Sequence, residues 1–182
     1  MSKSHETSYR DHERVAEGLT GLGFAIVTFS DTRTTETDTS GRLIRDLVEA
    51  CGHRVVRTAI VPDDPEAIER TLCACLDDSE TNVVLTNGST GISARDTAFE
   101  VVSKLIEKRL DGFGELFRAL SYAEIGAAAM LSRAIAGSVG TRILFSMPGS
   151  SNAVRLGMTK LILPQVAHIV QELAKHASPG DR

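Results

Sequence analysis

Apolar positions recur along this chain in two alternating rhythms. Residues 24–30, F-A-I-V-T-F-S, form a near-continuous apolar run of strand length, the pattern of a strand buried on both faces. Residues 53–61, H-R-V-V-R-T-A-I-V, are rich in β-branched side chains and read as a second strand. Residues 81–87 and 142–147 read as two more. Between these runs the period lengthens. Over 40–50, Leu43, Ile44, Leu47, Val48 and Cys51 form one apolar helical stripe, and Gly52 suits the position just past its end. Ile68, Leu72, Cys75 and Leu76 mark a helix opened by Pro65, with Asp64 as candidate N-cap. Asp96 or Thr97 can cap a third, whose inward residues include Phe99, Val102, Leu105 and Ile106.

Over 104–110 the alternation fits either a helix end or a short edge strand. The spacing then predicts helices over 114–122 and 125–135, the second Ala-rich and able to pack closely. A helix from Ser151 runs towards Leu163, where Pro164 either kinks it or opens a last helix with Val166, Ile169, Val170 and Leu173 facing in. Residues 1–20 are charged, show little periodicity and read as a flexible arm, with 10–19 compatible with a helix. Residues 21–182 read as one domain. Strands alternate with helices, so parallel β-α-β units are the economical solution. The expected fold is a three-layer α/β sandwich on a mostly parallel sheet.

Composition narrows the function. With 182 residues, 42% of them apolar and 24% charged, the chain describes an ordinary soluble globule. A net charge of −4, with no Trp and only two Tyr, argues against a nucleic-acid surface. No apolar run reaches the ~18 residues that span a bilayer, and the polar start lacks the apolar stretch of a signal peptide. No membrane association and a cytoplasmic location are therefore expected. Cys51, Cys73 and Cys75 lack metal-ligand spacing, and Cys73 and Cys75 point to different sides of a helix. They read as small hydrophobes in a reducing compartment. The five histidines, His5, His12, His53, His168 and His176, are likewise scattered.

Chemistry concentrates at strand ends. These are Ser30-Asp31, Pro62-Asp63-Asp64, the loop Gly88-Ser89-Thr90-Gly91 with Arg95-Asp96 behind it, and Pro148-Gly149-Ser150. In a parallel sheet all four emerge on one edge, where open α/β sheets bind ligands. Glycines at 88 and 91 let backbone N–H groups converge on an anion, and phosphate is the commonest one. Arg95 adds positive charge. Asp63 and Asp96 are two carboxylates that could share a Mg²⁺ with a nucleoside triphosphate. The plainer reading is that Asp63 or Asp64 caps one helix and Asp96 another. Neither G-x-x-x-x-G-K-[ST] nor G-x-G-x-x-G is present, and Ser132 has no evident His/Asp partner.

Taken together, these pieces resemble the MoaB/Mog family of molybdenum-cofactor biosynthesis proteins, and its short MoaB branch in particular. The likeness runs over about 24–165. It rests on T-F-S-D-T-R at 28–33, D-T-S-G at 38–41, I-V-P-D-D at 60–64 and L-T-N-G-S-T-G-I-S-A-R-D at 85–96. It continues in G-F-G-E-L-F-R at 112–118, S-Y-A-E-I-G at 121–126, L-S-R-A-I-A-G at 131–137 and F-S-M-P-G-S at 145–150. The resemblance implies a compact α/β fold assembling into trimers or hexamers, and a site for molybdopterin. In active members it implies Mg²⁺-dependent adenylylation: the molybdopterin phosphate attacks the α-phosphate of ATP and pyrophosphate leaves. For some members of the branch it implies instead a non-catalytic molybdopterin-binding carrier or assembly protein. The family's essential aspartates match Asp63 and Asp96.

That likeness assigns Asp63 and Asp96 to the metal and the leaving pyrophosphate. Gly88, Ser89, Thr90 and Gly91 would cradle phosphate beside Arg95, with Ser30 and Asp31 next door. Ser132, Arg133, Pro148, Gly149 and Ser150 would hold the pterin or its phosphate. Other proteins of cofactor synthesis are expected partners. One departure stands out: the family loop usually reads T-G-G-T-G or T-T-G-G-T-G, and this chain has Asn87 and Ser89. If the second glycine position needs φ > 0, Ser89 there costs about 1 kcal/mol of strain. The Ala-rich 126–136 stretch and the apolar last helix offer more surface than a small domain buries alone, which also points to a homo-oligomer.

Overall fold

The computed structural model describes residues 19–175. The arm expected over 1–20, including its helical stretch, lies almost wholly outside the described residues, as do residues 176–182. Within them the strands are β1 (Gly23–Phe29), β2 (Arg54–Val61), β3 (Val83–Asn87), β4 (Lys108–Arg109), β5 (Ile135–Val139) and β6 (Arg142–Met147). The helices are α1 (Thr39–Ala50), α2 (Pro65–Leu76), α3 (Ala98–Leu105), α4 (Asp111–Ile125), α5 (Ser151–Gly157) and α6 (Leu163–Ala174). A 3₁₀ segment, Gly126–Leu131, follows α4, and a π segment, Met158–Ile162, joins α5 to α6.

The six strands form one sheet in the order β2-β1-β3-β6-β5-β4. β2, β1, β3 and β6 are parallel, while β5 runs antiparallel to β6 and β4 antiparallel to β5. Strand alternation sorts the core into two layers. Phe24, Ile26, Val83, Leu85, Ile143 and Phe145 face α1, α4, α5 and α6. Ala25, Val27, Phe29, Val84 and Leu144 face α2 and α3. The molecule is thus a three-layer α/β sandwich on a mostly parallel sheet. Every residue of β1 is buried, which explains why its sequence shows no polar alternation.

Several local expectations hold for the stated reasons. Asp64 Oδ1 accepts the Ala67 N–H at 2.8 Å, with Pro65 in the first turn of α2. Pro164 sits at the start of α6, so the helical path continues past it through the π segment. The edge strand option at 104–110 is realised as the two residues of β4. Cys75 is buried while Cys51 is exposed, and all three thiols are free.

Two expectations fail together. The helix expected over 114–122 begins earlier and ends later, at Asp111 and Ile125, and the helix expected over 125–135 is absent. In its place the 3₁₀ segment leads into β5, which returns through a two-residue turn, Gly140-Thr141, to pair Val139 with Arg142 of β6. The strict alternation of strands and helices ends there. β5 reads I-A-G-S-V, whose small residues give almost no strand signal. One of them is required: a Cβ on Gly137 would stand 2.5 Å from the Lys108 carbonyl of β4.

Candidate functional site

Because β1, β2, β3 and β6 are parallel, the segments after Phe29, Val61, Asn87 and Met147 emerge on one edge. The antiparallel β5 brings its own start to that same edge, since Ile135 pairs with Ser146. Ser132 and Arg133 therefore arrive beside loops that are far away in sequence.

The loop after β3 is the centre. Gly88 has φ 98°, and a Cβ there would lie 2.4 Å from the Phe29 carbonyl, so only glycine fits. Its Cα is itself 3.1 Å from where a Cβ on Gly149 would stand, so the turns after β3 and β6 touch. Gly91 has a different reason: a Cβ there would meet Asp96 Oδ2 at 2.7 Å. The Gly88 N–H bonds to the Met147 carbonyl at 3.1 Å, and the Gly91 N–H stands close enough to Asp96 to lower its carboxyl. That leaves the N–H groups of Ser89 and Thr90 without a protein acceptor among the described residues, a narrower anion cradle than four convergent amides.

Ser89 adopts φ 53°, the left-handed region expected of a glycine. Its Oγ accepts the N–H groups of Thr97 at 3.0 Å and Ala98 at 3.3 Å, the start of α3. Thr97 holds the cap position but makes no side-chain cap. The strain at Ser89, about 1 kcal/mol, is thus offset by a capping interaction of about the same size.

Three carboxylates share the mouth. Asp31 Oδ1 accepts the Asp63 N–H at 3.1 Å, and Arg95 forms an ion pair with Asp31. Asp63 Oδ1 is buried without a hydrogen-bond partner. Burial first, and then the neighbouring charges of Asp31 and Asp96, push the Asp63 carboxyl above its usual range, against the pull of the Ser89 hydroxyl and Arg95. Asp96 moves the other way: the Ser93 hydroxyl, the N–H groups of Ser93 and Gly91, and Arg133 hold it below the usual range. The Ser93 N–H reaches its Oδ2 at 2.8 Å. Asp96 is therefore held in its ionised form, while Asp63 carries a buried oxygen that the protein does not satisfy. Among the described residues no three His, Cys, Asp or Glu side chains converge as a metal cluster.

Arg133 fastens this loop to β5. Its Nη2 donates to the Asp96 carbonyl at 2.8 Å, its Nε to the Thr90 carbonyl at 3.4 Å, and it pairs with Glu100. Its guanidinium also lies 4.8 Å from the Phe99 ring centre. A cleft of about 510 Å³, bounded by Pro65, Ile92, Asp96, Lys104 and Arg133, opens next to Asp96. A second, of about 470 Å³, holds Ser132 with Phe99, Arg109 and Arg118. The largest of these three, about 550 Å³, lies between α1 and β2 and is lined by none of the sequence-predicted site residues.

Beneath the loop lies a network that sequence reasoning did not assign. Asp38 caps α1 by accepting the Gly41 N–H at 2.9 Å, and also accepts from the Thr28 hydroxyl at 2.6 Å and the Ser40 hydroxyl at 3.1 Å. Ser40 also bonds to Asn87 Oδ1 at 2.9 Å, and Asn87 Nδ2 donates to Thr28 at 2.9 Å. Arg33 pairs with Asp38 and donates to the Gly149 carbonyl at 2.9 Å, tying the turn after β1 to the turn after β6. Ser30 Oγ accepts the Thr32 and Arg33 N–H groups and shapes that turn. Ser150 is a helix cap, accepting the Ala153 N–H at 3.3 Å, and Pro148 precedes it in the same turn. So Asp31, Asp63, Ser89, Arg95 and Asp96 come together. Ser30, Pro148, Gly149 and Ser150 build the rim, and Ser132 faces the neighbouring cleft.

The family model described as a probable molybdopterin binding domain matches residues 25–168. The chain belongs to this molybdopterin-binding domain family. Its relatives within the family include molybdenum cofactor biosynthesis protein B of Bacillus cereus, 56% identical over 81% of this chain and 88% of that protein. The protein of the same name from Bacillus subtilis is 46% identical over 92% of this chain and 98% of its own length. Among solved family structures, a molybdenum cofactor biosynthesis protein B is 54% identical, covers 85% of this chain and 96% of its own, and superposes with a TM-score of 0.83. The tungsten cofactor synthesizing protein MoaB of Pyrococcus furiosus is 38% identical over 86% of this chain and 99% of that one, with a TM-score of 0.75. The family domain takes in the mouth and the network beneath it, from Thr28 through Ser150.

Proposed function

We propose that this protein acts in molybdenum-cofactor biosynthesis as a molybdopterin adenylyltransferase, using Mg²⁺ and ATP. The observation that supports this reading is the pairing at one mouth of Asp63, with its unpartnered buried oxygen, and Asp96, held ionised, beside a glycine-anchored loop. Two hard carboxylate oxygens suit Mg²⁺, which keeps water and takes phosphate oxygens to complete its shell. Asp63 and Asp96 would hold Mg²⁺, and the chemistry it would supply is neutralisation of charge on the leaving pyrophosphate.

The chain's own groups would do the rest. The N–H groups of Ser89 and Thr90 receive a phosphate oxygen. Arg95, exposed and paired only with Asp31, can swing to a triphosphate. A phosphate oxygen of molybdopterin attacks the α-phosphorus of ATP; the new P–O bond forms as the α–β anhydride bond breaks. Ser132 and the arginines of the adjacent cleft, Arg109, Arg118 and Arg133, suit an anionic pterin. The test is pyrophosphate release by the purified protein. Release that needs Mg²⁺, ATP and molybdopterin together is expected; its absence while molybdopterin binds tightly would refute the catalytic reading.

A second reading, a non-catalytic molybdopterin carrier or assembly protein, draws on one fact: no three-ligand metal cluster exists among the described residues. The same assay separates the two. We also propose a homo-oligomer, trimer or hexamer. Leu116, Tyr122, Ile125, Met130 and Leu131, all on α4 and the 3₁₀ segment, are more than half exposed. Met130 and Leu131 fall in the 126–136 stretch expected to be sticky, and α4 extends that apolar surface. Light scattering at micromolar concentration should give a multiple of the 19.5 kDa chain, and a monomer would defeat the idea.

A further inference from the structure

Ser89 does something at this site that a glycine cannot. A serine hydroxyl has two acceptor lone pairs and one proton. Both lone pairs are engaged by the Thr97 and Ala98 N–H groups at 3.0 and 3.3 Å, the first free donors of α3. Thr97, which sits where a capping side chain belongs, keeps its own hydroxyl buried and unpartnered. The α3 start is therefore anchored from eight residues upstream, and Asp96 immediately precedes it.

We propose that Ser89 is a positioning residue whose hydroxyl anchors the amino end of α3, and so fixes where Asp96, which immediately precedes that end, stands relative to Asp63. The proposal rests on reading those two carboxylates as the metal-binding pair. Three features of the fold keep Ser89 in place. Gly88 is wedged against Phe29, Arg133 holds the Thr90 carbonyl, and Ser89, in the left-handed region, has its hydroxyl on the Thr97 and Ala98 N–H groups. A glycine at 89 would relax the backbone yet leave Thr97 and Ala98 to find water. An alanine would keep the strained backbone and lose the same bonds. If backbone relaxation dominated, Ser89→Gly would improve the site; if the hydroxyl dominates, both variants weaken it alike.

The experiment compares wild type, Ser89→Gly and Ser89→Ala in two measurements on the full chain. Hydrogen exchange reads the Thr97 and Ala98 amides, and titration with Mn²⁺ plus ATP, without molybdopterin, reads the metal site. Exchange at both amides should rise in both variants, and Mn²⁺–ATP affinity should fall about tenfold in both, the low end for removal of a group that orients a metal ligand. Exchange at both amides unchanged in the two variants, with a wild type that binds Mn²⁺–ATP, would overturn the anchoring. Faster exchange with unchanged Mn²⁺–ATP affinity would reduce Ser89 to a helix cap and overturn the positioning role. A wild type that binds no Mn²⁺–ATP would sink the metal-site reading itself, and the proposal with it.

Discussion

Two aspartates at the same edge of the sheet have opposite surroundings. Asp38 is buried and saturated: hydroxyls of Thr28 and Ser40, the Gly41 N–H and Arg33 occupy its two oxygens. Asp63 is half-buried, has one oxygen with no partner, and sits among like charges. Buried polar groups in folded proteins are almost always paired, so a saturated one is scaffold and an orphan marks a place kept for something else. The contrast separates what holds the mouth in shape from what the mouth is for.

The sharpest way to break this contrast is to delete each aspartate. Asp63→Ala or Asp96→Ala should lower the adenylylation rate by about a thousandfold or more, with the fold intact. Asp38→Ala should do the reverse. It strands several buried donors and should cost about 3 kcal/mol, a fall of roughly 6–12 °C in the melting midpoint. Calorimetry checks it, and an unchanged midpoint would mean that the network is not scaffold.

A smaller effect follows from pH. The carboxyl of Asp63 is raised in the folded state, so its contribution to stability is present below the usual carboxylate range and is lost as pH rises through its folded pKa. Asp63→Asn should therefore melt slightly higher than wild type near neutral pH, by much less than Asp38→Ala loses. The gap should close as pH drops below the ordinary carboxylate range. A gap that widens on acidification would contradict the assigned cause.

How far the sequence revealed these roles depended on distance along the chain. β1, β2, β3 and β6 announce themselves in apolar runs, and P-D-D and N-G-S-T-G placed Asp63, Gly88 and Asp96 at one mouth. β5 stayed hidden because close approach to β4 demands small residues with little strand preference. Asp38, Ser40 and Asn87 were hidden for another reason. Ser40 meets Asn87 across 47 positions, and Arg33 meets Gly149 across 116, which no local pattern encodes. Ser89 was legible only as a cost; its gain became visible once α3 was seen to begin on its hydroxyl.

The most direct test follows the adenylyl group. ATP labelled at its α-phosphate is mixed with molybdopterin, Mg²⁺ and excess protein in a single turnover, and the label on the pterin is measured. The account predicts prompt transfer by wild type and transfer slowed by orders of magnitude in Asp63→Asn and Asp96→Asn. Transfer at the wild-type rate in both variants, or molybdopterin bound by wild type with no label gained, would contradict it.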